Sequence, residues 1–176
     1  QAHERARQPE KQPSQWMKGI WEGLSFGSND APAETWVSRQ ALERIARALT
    51  TVPAGFQWHK RLERLMAERG AMVLEDKDID WGCGEALAIG SLLLEGTKVR
   101  LAGQDTVRGT FSHRHAVYTD QATGERYVPL NHMSQGQNVL HVINSPLSEN
   151  AALGFEYGYS AANRDALVLW EAQFGD

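Results

Sequence analysis

Apolar residues recur at helical spacing from Ser38 to Leu49, where Ala41, Leu42, Ile45, Ala46 and Leu49 fall on one stripe. Ser38 stands where an N-cap belongs, and Pro53 and Gly55 break the chain after the stripe. The pattern returns from His59 to Met72 through Leu62, Leu65, Met66 and Ala67. A third helix is predicted to start at an Asp78 or Asp80 cap, run to Leu94 and stop at Gly96. Beyond Gly96 the texture becomes that of strands. Val99 to Leu101 predicts a short strand that ends in a polar loop, Gly103 to Thr110. Residues 125–130 and 138–143 are two further strand candidates, with turns at 121–124 and 134–137. Ser148 to Ala162 predicts a helix, and Leu167 to Trp170 an apolar strand, buried on both faces if the sheet is parallel. Strand, helix, strand in that order points to a βαβ crossover and an α/β class.

Residues 1–34 lack this regularity. They are polar, with Trp16, Ile20, Trp21 and Leu24 at near-helical spacing, and predict a linker carrying a short amphipathic helix that docks on a neighbour. The organisation expected is a linker and docking segment over 1–36, a helical connector over 37–77 and an α/β unit from 78 to 176. Gln1 opens the chain and Asp176 closes it soon after an apolar strand, so a segment of a longer protein is expected.

Composition narrows the partners. A net charge of −4 with no long basic run argues against nucleic acid. The longest apolar run, around Leu87 to Leu94, is interrupted by Gly90 and Ser91 and is too short to span a bilayer. Cys83 is the single cysteine, which excludes an internal disulfide and suits a reducing compartment.

Four stretches carry candidate chemistry. His113, Arg114 and His115 lie together, with His132 and His141 downstream, but an HxH pair without CxxC or HExxH is a weak metal signal, and no metal site is assigned. One of these histidines suits a substrate carboxylate or a proton transfer; an ordinary extended stretch also places alternate residues on one side. The loop Gly103-Gln104-Asp105-Thr106 follows a strand, where α/β folds gather ligands, yet its composition equally suits a surface loop. Ser145-Pro146-Leu147-Ser148-Glu149 leads into a helix, and Glu149 in a first turn is well placed by the helix dipole alone. Glu171, Gln173 and Asp176 follow an apolar strand beside Phe174, as a ligand rim or a solvated strand end.

The strings GQDTVRGTFSHRHAV, YVPLNHM, NSPLSENAALGFEYGYS and LVLWEAQFGD, in this order and spacing, resemble the thiamin-diphosphate-dependent 2-oxoglutarate dehydrogenases, in their first, decarboxylating component. The resemblance is strong from Asp78 to Asp176 and looser from Gln15 to Val73, where VPAGFQWHKRL is similar to the segment between that family's two cofactor-binding domains.

The resemblance implies a transketolase-like fold, in which two α/β domains bind the cofactor across a subunit interface. Residues 78–176 would be the beginning of the aminopyrimidine-binding domain, with a mostly parallel sheet. The family's GDG sequence for diphosphate and magnesium has no counterpart here, so this segment alone is expected to be inactive. Glu149 stands at the family's glutamate, which contacts the aminopyrimidine ring nitrogen. Leu147 resembles the apolar residue that keeps the cofactor bent, and Gln173 and Phe174 lie in the stretch lining the pocket. Gln104 is placed to meet the substrate-derived part of the intermediate, with His113 and His115 beside it as substrate-binding candidates.

The activity implied is oxidative decarboxylation of 2-oxoglutarate in the tricarboxylic acid cycle, with the succinyl group passed to the lipoyl group of a succinyltransferase. Cofactors would be thiamin diphosphate and magnesium. Partners would be a second copy of the chain, the dihydrolipoyl succinyltransferase and the dihydrolipoyl dehydrogenase. The location would be the bacterial cytoplasm, or the mitochondrial matrix in a eukaryote. A 2-oxoadipate enzyme, a simple 2-oxo-acid decarboxylase and a non-catalytic, dimer-forming half-domain are the alternatives.

Overall fold

A computed structural model describes residues 19–24 and 32–174. Residues 1–34 and 35–176 form separate units. In the first, Ile20 and Trp21 lie in a 3-10 turn, Gly19–Trp21; Trp16 and most of the segment expected to carry an amphipathic helix lie outside the described residues.

The second unit opens with three helices, α1 (Arg39–Thr50), α2 (Lys60–Leu74) and α3 (Trp81–Leu94). Ser38 Oγ accepts from the Ala41 amide and caps α1 at 3.3 Å; Asp80 Oδ1 accepts from the Cys83 amide and caps α3 at 2.6 Å. The strongly apolar α3 is buried on several sides, because it lies between the other helices and the sheet. Gly90 makes this possible: a Cβ there would sit 2.8 Å from Ile45 Cγ2 on α1.

The strands that follow are β1 (Lys98–Gly103), β2 (Tyr118–Thr119), β3 (Arg126–Tyr127), β4 (Leu140–Asn144) and β5 (Ala166–Glu171), with α4 (Glu149–Ala162) between the last two. β1 is central in a parallel sheet of order β4-β1-β5. Side-chain alternation divides its two faces. Val99 enters the core with Ile45, Leu49, Leu87, Leu93, Leu130 and Leu140. Arg100 points the other way and pairs with Glu156 on α4 through two hydrogen bonds of 2.6 and 2.8 Å, while its guanidinium lies over the Tyr159 ring. Helices thus cover both faces, which is the α/β arrangement expected.

Two local expectations need correction. The strand expected over 125–130 is only the two-residue β3, paired antiparallel with β2 outside the main sheet. Pro129 opens a 3-10 turn, Pro129–His132, because it has no N–H to donate to a ladder. β5 is not buried on both faces: Leu167 stays exposed and the rest of the strand is only partly buried, and among the described residues it pairs with β1 alone. Ser148 occupies the N-cap position of α4, yet its hydroxyl makes no capping bond.

Candidate functional site

The parallel register brings three strand ends together. Gly103 at the end of β1 lies opposite both Asn144 of β4 and Glu171 of β5. The three segments that follow, 104–117, 145–148 and 172–174, therefore emerge at one edge, where α/β folds place ligands.

The first of these is a tightly tied loop. Asn144 Oδ1 accepts from the Val107 amide at 2.8 Å, and the Ser145 amide donates to the Gly103 carbonyl at 2.8 Å. Asp105, Ser112 and His115 adopt positive φ, three of the four non-glycine residues that do so among the described residues. Such strain is held in place by surrounding contacts and gathers at functional sites. Gly109, at φ +81°, is needed for space as well as for its backbone, because the His113 ring packs where a Cβ would be.

Arg114 is the anchor of this loop. Its guanidinium is 8% exposed. It binds Glu85 of α3 through two hydrogen bonds of 2.6 and 2.9 Å, and Glu171 of β5 through two of 2.6 and 3.2 Å. It also donates to the Thr106 carbonyl at 2.7 Å. Burial works against its charge; the hydrogen bonds to Glu85 and then Glu171 more than offset this and hold its pKa above the ordinary value. Arg69 of α2, itself buried, donates to the Arg114 carbonyl at 3.0 Å and to the His113 carbonyl.

Glu149 is the first residue of α4 and is half-buried. Its Oε2 accepts from the Trp170 indole N–H at 3.2 Å, which ties it to β5; Oε1 carries no hydrogen bond among the described residues. Leu147, two residues earlier, leaves its side chain exposed. Gln173 and Gln104 meet across the rim, the Gln173 amide donating to the Gln104 carbonyl at 3.1 Å and to Thr110 Oγ1 at 3.1 Å. Phe174 stands edge-to-face with Phe111 at 5.9 Å, and Phe111 lies 6.0 Å from the His113 ring. The rim therefore carries one acid, two amides and exposed apolar surface, a set able to hold a flat, polar heteroaromatic ring by hydrogen bonds and stacking.

The two histidines part company. His113 stays at the rim, its Nδ1 buried without a hydrogen-bond partner among the described residues. His115 lines a small interior cavity with Leu49, Ala86, Leu130 and Arg114. Burial, and then the nearby Arg69, push its pKa below the ordinary value. Sequence reasoning did not bring out Arg114, Glu85 or Trp170. Residues 85, 114 and 171 lie on three separate elements, and no spacing links them. The available signal was an apolar strand that ends on an acid, Glu171. No group of three or more His, Cys, Asp or Glu able to hold a metal occurs among the described residues.

Residues 77–176 match the family described as transketolase, pyrimidine binding domain. The chain is 47% identical over 164 residues, 92% of its length, to the 2-oxoglutarate dehydrogenase E1 component of Brucella anthropi. It is 46% identical over the same share to those of Brucella canis and Brucella suis. It spans 16% of the length of each of these relatives.

Proposed function

The chain belongs to the transketolase pyrimidine-binding-domain family, and from that premise we propose that it forms the aminopyrimidine-holding side of a thiamin-diphosphate site in the first component of a 2-oxoglutarate dehydrogenase. The observation that carries the reading is the half-buried Glu149 carboxyl at the start of α4. Trp170 orients one oxygen and the other is left for a ligand, at the strand edge where Gln104, Gln173 and Phe174 also emerge.

These residues fit one end of the cofactor. Glu149 holds a proton between its carboxyl and the aminopyrimidine ring nitrogen. Leu147 and Phe174 offer apolar surface to the rings, and Gln173 fixes the rim from which Gln104 faces the substrate side. Bound thiamin diphosphate supplies an electron sink for loss of carbon dioxide from a 2-oxo acid. Magnesium and the diphosphate are assigned to other parts of the whole protein, and a second copy of the chain to the other side of the site. In the whole protein the succinyl group would pass to the lipoyl disulfide of a succinyltransferase, which is reduced as it is acylated, with dihydrolipoyl dehydrogenase as the third partner. The bacterial cytoplasm is the location that accords with the bacterial relatives.

Glu149→Gln in the complete enzyme tests this reading, because it keeps size and hydrogen bonding but cannot exchange the proton. Deuterium exchange at the thiazolium C–H should slow about a hundredfold or more, the usual scale of lost acid–base help. Unchanged exchange together with unchanged turnover of 2-oxoglutarate would reduce Glu149 to a favourable charge at a helix start.

A further inference from the structure

We propose that Arg114 is the positioning residue of the cofactor rim: one buried guanidinium, shared between Glu171 at the end of β5, Glu85 on α3 and the Thr106 carbonyl, sets where Gln173 and Gln104 stand. This inference rests on the pocket reading above.

Gln173 is two residues beyond Glu171, outside the sheet ladder, and meets the loop through the Gln104 carbonyl and Thr110 Oγ1. Its placement therefore depends on where the β5 end and the loop are held relative to each other. Arg114 joins them directly, donating two hydrogen bonds to Glu171 and one to the Thr106 carbonyl, two residues from Gln104. Its bonds to Glu85 fix both to α3, which belongs to the apolar core. The backbone of Arg114 is held in turn by Arg69. Two carboxylates share this one guanidinium, so its loss leaves two negative charges facing each other as well as an open joint. A lysine would keep the charge but offers no planar fork to bind two carboxylates at once.

The test uses the full-length enzyme, and its readouts are the KM for thiamin diphosphate, kcat at saturating cofactor and the thermal unfolding midpoint. Arg114→Met should raise the cofactor KM about tenfold to a hundredfold, the scale for loss of a supporting partner, with kcat changed far less. Arg114→Lys should fall between Met and the unmodified enzyme. Adding Glu171→Gln to Arg114→Met should recover part of the affinity by removing one unpaired charge. Gln173→Ala is the direct pocket probe. If it leaves the cofactor KM unchanged, the pocket reading fails and the inference falls with it. If Gln173→Ala weakens the cofactor but Arg114→Met and Arg114→Lys only lower the unfolding midpoint, Arg114 is a structural tie and the positioning role is overturned. Should Arg114→Met not fold, the comparison of Arg114→Lys with Glu171→Gln alone decides the same point, because both must raise KM more than they lower kcat.

Discussion

The fully buried Tyr118 donates its hydroxyl to the Leu49 carbonyl at 2.9 Å, one of the last acceptors of α1 with no partner inside the helix. Tyr118→Phe keeps the ring and strands that acceptor, so it should cost about 1–3 kcal/mol, read as a shift in the urea midpoint of the intact protein. An unshifted midpoint would mean that water reaches the carbonyl. Asp120 acts through charge. Its carboxylate accepts from the backbone amides of Thr123, Gln57 and Ala122, and the first two of these bonds do most to hold its pKa below the ordinary 3.8. A depressed pKa contributes stability that is present above the unfolded value and lost as pH falls through the folded one. Amide exchange at Gln57 and Thr123 should therefore be faster in Asp120→Asn at neutral pH, and the difference should shrink as pH is taken below 3.8. A constant difference down to strong acid would exclude this linkage. At this scale the sequence was legible where a residue sits beside its own motif. Glu149, Gln173 and Phe174 are words in recognisable strings. Tyr118 lies outside those strings and Arg114 lies inside one, yet neither role was legible, because what they do depends on groups that lie far away along the chain, Leu49 for one and Glu85 and Glu171 for the other.

Among elements, the crossing of α1 and α3 is the most constrained contact. Ile45 Cγ2, Cγ1 and Cδ1 all lie within 3.0 Å of where a Gly90 Cβ would stand. Gly90→Ala should overpack this crossing and cost about 1–3 kcal/mol in thermal or chemical unfolding, and Ile45→Val should recover part of it by removing the Cδ1 carbon. If Gly90→Ala is neutral, the helices are free to separate. The helices themselves were readable from their stripes, since periodicity and capping are local: Ser38 and Asp80 cap as expected. The strand expected over 125–130 failed at Pro129, where a local turn ends the pairing. Tyr127 stacks on His132 at 4.6 Å, and the 3-10 turn at Pro129 brings the two rings together. Ser148 is the converse case: the residue type suits a cap, yet its hydroxyl makes no capping bond.

At the scale of the whole molecule, the second unit leaves much apolar surface in solvent. Trp81 is 94% exposed, Phe174 82% and Phe111 73%, and the α4 face carries Leu153, Phe155 and Tyr157 outward. β5 is also a sheet edge among the described residues. Purified residues 1–176 should therefore bind a hydrophobic dye and self-associate with rising concentration, as exposed patches and open edges do. Sedimentation as a dye-free monomer at every concentration would contradict this. The class of the fold was legible from strand–helix–strand order, but the position of β1 between β4 and β5 was not, since strand order is a matter of pairing partners that lie far apart in the chain. That order also sets a clock. During synthesis β1 is finished before either neighbour exists, and its second edge waits until Ala166 has been made to meet Lys98. At about 5–20 residues per second, that wait is about 3–14 seconds. The strand at the centre of the finished sheet is thus the one that the growing chain leaves bare longest, and the ribosome-bound intermediate is where a chaperone would find it.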